Sequence, residues 1–182
     1  MLHVIQFGSF VYGTNTPMSD RDLVLVTDEV VDLAIYGDAD IQVYEPAAYR
    51  KHLANHEPWA IELFFTSNTL QNDFIFVLDL IKLRHAFSAV TSNAYVKCKK
   101  KLSVETDQKS FYSGRKSLWH TLRILEFGIQ ICRQRRITDF SSANRFYDGI
   151  VHQGKFWPEL HTEYTPEYKR LCSAFKALAP KK

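Results

Sequence analysis

The chain alternates between two patterns of apolar and polar positions, and the change comes roughly a third of the way along. Near the start the apolar runs are short and punctuated. HVIQFG (His3 to Gly8) is brief, apolar and closed by glycine, which predicts a strand. SFVYG leaves room for one helical turn before Gly13, and TNTPM has turn chemistry. DLVLVT (Asp22 to Thr27) is rich in Val and Leu and predicts a buried strand. ADIQVYE (Ala39 to Glu45) alternates apolar with polar and predicts a third. Pro46 stops that strand and suits the first turn of a following helix.

Beyond Pro46 the spacing becomes helical. Residues 47–56 and 59–65 predict two helices, and residues 73–87 and 88–102 two more. Residues 107–136 form the longest candidate, with Gly114 and Gly128 weighing against its continuity. Residues 139–154 and 165–178 complete the set, the last with Thr165 as N-cap and Pro166 at the first helical position. The pattern predicts a sheet domain over residues 1–70 and a helical domain over 71–182, with no repeats or low-complexity segment.

Composition changes this picture little. The 182 residues are 46% apolar and 24% charged, which is ordinary for a globular protein. No apolar run is long enough to cross a membrane, and MLHVIQFGS lacks the features of a signal peptide. Cys98, Cys132 and Cys172 are scattered and match neither a zinc spacing nor a disulfide framework. The expected location is cytoplasmic. A formal net charge of +3 does not by itself argue for nucleic acid. Its distribution is uneven: suggestive acids gather in the first third, while KCKKK (Lys97 to Lys101) and RQRR (Arg133 to Arg136) follow later. Such clusters attract phosphate or form a solvated helix face.

The candidate chemistry lies in GSFVYGTNTPMSDRDLVLV (Gly8 to Val26). On a strand, Asp20 and Asp22 project to one side. Two carboxylates that close repel unless a cation joins them or one is protonated. Magnesium suits the place, because it takes oxygen ligands from one or two carboxylates plus substrate phosphates. Asp40 begins a strand that could pair alongside and bring a third carboxylate. Gly8 lets a phosphate approach the backbone, and Ser9 adds a hydroxyl at the N-terminus of a short helix, where anions are favoured. Taken alone, a D-x-D at a strand start is an ordinary solvated turn; the order and spacing of the whole set carry the signal.

That set resembles the signature of the DNA polymerase β-like nucleotidyltransferase superfamily: Gly-Ser, a short helix, Gly, then Ser-Asp-x-Asp before an apolar strand, completed by an apolar-Asp-apolar motif, here ADI. DIQVYEPAAYRKHLANHEPWAIELFFTSN is similar to a bacterial and phage group of predicted nucleotidyltransferases. The resemblance is specific over residues 7–67 and weaker over the helices. It implies an α+β fold, with a small mixed β-sheet nucleotidyltransferase domain followed by a C-terminal helical bundle. It also implies transfer of a nucleoside monophosphate from a nucleoside triphosphate to an acceptor hydroxyl, with pyrophosphate leaving. Gly8 and Ser9 would hold the triphosphate. Asp20, Asp22 and Asp40 would bind two magnesium (or manganese) ions, with Asp40 helping to deprotonate the acceptor. The acceptor would be a small molecule, a protein or an RNA end. Substrate choice in the superfamily belongs to the helical half. A homodimer stays open, and no membrane partner is expected.

Phe10 departs from the pattern, since many members carry a basic residue after Gly-Ser. The phosphate-binding cation is therefore sought on the long helix, where Lys116, His120 and Arg123 share a face at i, i+4 and i+7. The other reading of these three is a solvent-facing stripe with a packed histidine. Glu62, among apolar residues, is expected to pair with a helix-borne arginine or to serve as a base. His52 and His56 have i, i+4 metal spacing without a supporting Glu and are expected at the surface. Two other functions remain in view. One is an antitoxin-like partner protein on the same fold with little turnover; the other is a nucleic-acid-binding module built on Lys97 to Lys101 and Arg133 to Arg136.

Overall fold

Three short strands near the N-terminus form a mixed sheet in the computed structural model, which describes residues 1–104 and 107–181. Strand β1 (Leu2–Phe7) pairs antiparallel with β2 (Asp22–Thr27), and β2 pairs parallel with β3 (Asp40–Tyr44), giving the order β1-β2-β3. The single turn α1 (Ser9–Tyr12) and its polar loop join β1 to β2, and a 3-10 turn at Leu33–Tyr36 lies between β2 and β3. The fold is α+β as expected, and every described element beyond β3 is helical.

Helices α2 (Pro46–Ala54), α3 (Pro58–Thr66) and α4 (Asn68–Asp73) follow, the first two opened by a proline in the first turn, where its missing N–H costs nothing. They cover one face of the sheet. His3 on that face is buried, with Nδ1 3.0 Å from Thr69 Oγ1 and Nε2 3.1 Å from the Asp73 carboxylate. His56 is buried rather than at the surface. It holds φ +60 just past α2, and its N–H bonds the Leu53 carbonyl, so it closes the helix where glycine is more usual. His52 is half-buried and paired with Glu57 at 2.8 Å.

The helix expected over residues 73–87 does not form as such. Residues 74–79 form no regular element, with Phe74 itself extended, and α5 (Leu80–Val104) then runs unbroken through the second expected helix. The run FIFV satisfies period two as well as a helical face, and tertiary contacts decide between them. Phe74 meets Tyr49 edge-on with centroids 4.8 Å apart, and Phe76 meets His56, Phe64 and Phe65. Asp79 then caps α5, its carboxylate accepting from the N–H groups of Ile81 and Lys82.

The chain divides into two compact units, Met1–Leu78 and Asp79–Lys182. In the second, α6 (Gln108–Gln134) is continuous through both of its glycines. Asp107 caps it, accepting from Ser110 N at 2.9 Å. Helices α5 and α6 run antiparallel, since Leu102 packs over Gly114 and Phe87 over Gly128. A short α7 (Tyr147–Val151) and the long α8 (Trp157–Leu178) complete the unit. Thr165 is not an N-cap. Helix α8 begins eight residues earlier, with Pro158 in its first turn, and Pro166 lies in its interior. An interior proline costs a helical hydrogen bond; the buried Leu160 and Tyr164 before it and Leu171 and Phe175 after it hold the helix on course.

Candidate active site

The register of the sheet builds the site. Asp22, the first residue of β2, is the ladder partner of Asp40, the first residue of β3, and on its other side it faces Phe7 at the end of β1. Paired residues on neighbouring strands project from the same face, so the Asp22 and Asp40 carboxylates stand side by side. The Asp40 N–H donates to the Arg21 carbonyl at 2.8 Å and fixes the start of the parallel ladder. Asp20 is placed differently from expectation. It precedes β2 in an exposed loop, so strand alternation does not govern its direction. Among the described residues, no three His, Cys, Asp or Glu side chains gather closely enough to hold a metal ion.

Gly8 closes the other side of this corner. It holds φ +69 and ψ −147, a conformation open in practice to glycine alone. A Cβ at this position would lie 1.8 Å from Asp22 Oδ2. The Asp22 carboxylate therefore packs directly against the backbone between β1 and α1. The N–H groups of Val11 and Tyr12 both reach the Gly8 carbonyl, at 3.0 and 3.3 Å, so the turn begins at Ser9, which is half-buried. Phe10 is half-buried within the same turn.

A buried polar contact holds that turn from below. The Tyr12 hydroxyl donates to Glu62 Oε2 at 2.6 Å, and Glu62 on α3 is 1% exposed. A carboxylate so deep requires a strong donor. This phenol is one such donor, alongside the arginine expected from sequence. Tyr12 thus positions the Gly8–Ser9 segment, a role for which the sequence gives only the hint of a lone Glu in an apolar helix.

The helix-borne trio spans the whole range of exposure. Lys116 is exposed, with Nζ 5.2 Å from the centre of the Tyr112 ring. His120 is half-buried, and Arg123 is 4% exposed. The Arg123 guanidinium lies over the rings of Trp119 and Phe127, and its Nη2 is 2.8 Å from His120 Nδ1. Arginine can only donate, so Nδ1 accepts and the ring is neutral. Burial first, then the charges of Arg123 and Lys97, push the His120 pKa down to about 3. At neutral pH His120 therefore brings no charge to a phosphate. The sheet unit has its own cation in Arg21, exposed between Asp20 and Asp22.

Residues 2–86 match the family of nucleotidyltransferase domains. Over those residues the chain is similar to a nucleotidyltransferase domain. The match takes in the whole sheet, helices α2 to α4 and the first residues of α5, and it includes Gly8, Ser9, Asp20, Asp22 and Asp40. Neither a curated protein nor a solved structure matches the chain. No described helix is long and apolar enough to cross a membrane.

Proposed function

We propose that residues 2–86 form a nucleotidyltransferase domain that transfers a nucleoside monophosphate from a nucleoside triphosphate to an acceptor hydroxyl, with pyrophosphate leaving. The observation that carries this reading is the pairing of Asp22 with Asp40 across the parallel strands, with Gly8 against the Asp22 carboxylate. Adjacent carboxylates repel, and a divalent cation relieves that repulsion. Magnesium does not need three protein carboxylates, because one or two together with substrate phosphates and waters suffice. The donor set therefore fits a magnesium or manganese ion arriving with the triphosphate. Asp22 and Asp40 would hold it, with Asp20 as a further carboxylate from the adjoining loop. Once bound, such an ion supplies charge neutralisation at the transferring phosphoryl group.

The remaining work falls to the chain. Gly8 leaves room for the Asp22 carboxylate to sit against the backbone, and the Ser9 hydroxyl donates to a phosphate oxygen. Arg21 meets the charge of the triphosphate from the loop. Asp40, exposed at the edge of the sheet, takes the proton of the acceptor hydroxyl. Positioning and charge complementarity then provide most of the rate. The acceptor class is a small molecule, a protein side chain or an RNA end.

Incubation with magnesium or manganese and each labelled nucleoside triphosphate is expected to release pyrophosphate. Asp22→Asn combined with Asp40→Asn is expected to slow that release by about a hundredfold or more, the scale for losing charge stabilisation at a transition state. Equal rates in the two proteins would remove the reading.

A further inference from the structure

The helical unit contains a groove that the transfer reading leaves unused. It has a volume of about 500 Å³ and is lined by Gln108, Phe111, Tyr112, Arg115, Gly154 and Phe156. Phe111 and Phe156 meet edge to face with centroids 5.3 Å apart. Even so, Tyr112 and Phe156 leave 42% and 54% of their surface in solvent. Single exposed apolar residues need no explanation, but rings gathered at one groove mark a binding surface. Cations stand among them. Lys116 lies against the Tyr112 ring, and Arg115 Nε donates to the Lys155 carbonyl at 3.1 Å, which fixes the guanidinium in the wall.

The surrounding charge favours an anion. Residues 79–182 carry 20 Lys and Arg against 9 Asp and Glu, a formal +11 that the chain total of +3 conceals. Several of those acids are already engaged. Glu126 pairs with Arg145, Glu163 with Lys155 and Glu167 with Arg170, while Glu159 caps the start of α8 and Asp107 that of α6. Lys101 donates to Ser113 Oγ at 2.9 Å, which brings the basic end of α5 to the residue beside Tyr112. Lys97, Lys99, Lys100, Lys109 and Lys116 form no ion pair among the described residues. Arg133 to Arg136 lie at the opposite end of α6, about 30 Å away at 1.5 Å per residue, and so belong to a different surface.

We infer that this groove binds single-stranded nucleic acid, with unpaired bases stacked on Tyr112 and Phe156 and phosphates met by Lys109, Arg115 and Lys116. Exposed ring faces beside a basic ridge form the stacking platform that serves unpaired bases of any sequence. A duplex keeps its base faces covered and could use only the charges. An acidic peptide would likewise use the lysines and leave the rings idle.

The test is fluorescence anisotropy of the full chain with labelled 12-nucleotide RNA, DNA of the same sequence, and the matching duplex. It needs neither metal nor nucleoside triphosphate, so its failure leaves the proposed transfer reaction standing. Single strands are expected to bind at least tenfold more tightly than duplex, and the RNA and DNA arms show which backbone is preferred. Tyr112→Ala is expected to weaken single-strand binding about tenfold, the value of one stacked base, while Tyr112→Trp retains it. Phe156→Ala gives a second loss, interpreted only if its helical circular dichroism is unchanged. Arg133→Gln with Arg136→Gln is expected to leave affinity within twofold. Absence of binding, equal affinity for duplex, or a Tyr112→Ala protein that binds as wild type would overturn the inference.

Discussion

Gly8 in the sheet unit and Gly128 in the helical unit both stand where a Cβ has no room, but for opposite reasons. At Gly8 the obstruction is a carboxylate oxygen, Asp22 Oδ2, at 1.8 Å, and the backbone is left-handed at φ +69. At Gly128 the obstruction is apolar, with Phe175 Cε2 at 2.8 Å and Phe87 Cδ1 at 3.1 Å, within an ordinary helix. One glycine brings a charge against the backbone; the other brings helices together. Their units differ in the same sense. Residues 1–78 carry 11 Asp and Glu against 3 Lys and Arg, a formal −8, the reverse of the helical unit. The sheet unit gathers like charge at a corner where a cation would relieve it. The helical unit spreads its charge over lysines and arginines, of which Arg123 is buried, and fills its interior mainly with Leu and Ile packed around a few rings.

Substitution at each glycine separates the two roles. Gly8→Ala is expected to have the largest effect. It forces strain of about 1–3 kcal/mol and displaces the Asp22 carboxylate, so pyrophosphate release should fall together with thermal stability. An active Gly8→Ala protein would break the link between this glycine and the carboxylate. Gly128→Ala should act on stability alone. Alanine favours the helix by about 1 kcal/mol, but overpacking against two phenyl rings costs about 1–3 kcal/mol. A net loss of about 1 kcal/mol in denaturant unfolding is expected, with the rate of transfer per folded molecule unchanged.

The smallest expected effect concerns His120. Its pKa lies near 3 in the folded chain and near 6.5 in the unfolded one, so between these values only the unfolded state takes up the proton. Folding stability should therefore fall progressively as pH drops from 6.5 toward 5 because of this group. His120→Asn should remove that part of the acid sensitivity. Parallel stability–pH curves for the two proteins between pH 7 and 5 would show that burial does not hold this ring neutral.

The strands were legible because their signals are local. Alternation, Val and Leu content, Gly8 and Pro46 mark β1 to β3 to within two residues. The start of α6 was legible for a similar reason, since Asp107 can cap a helix from its own position. Helix ends governed by packing were not. Nothing between residues 73 and 87 shows that Phe74 and Phe76 will be held by rings of α2 and α3, and nothing near Pro166 shows that flanking core residues will carry α8 through it.

By itself, then, the sequence determined which residues could form strands, and which acids, glycines and hydroxyls were available to the site, because those properties depend on near neighbours along the chain. Tertiary structure alone decided that Asp22 lies beside Asp40 while Asp20 stays in the loop, that Tyr12 holds Glu62, and that His120 is neutral. Strand register, buried partners and desolvation all depend on segments distant in sequence, and those are fixed only when the chain closes on itself.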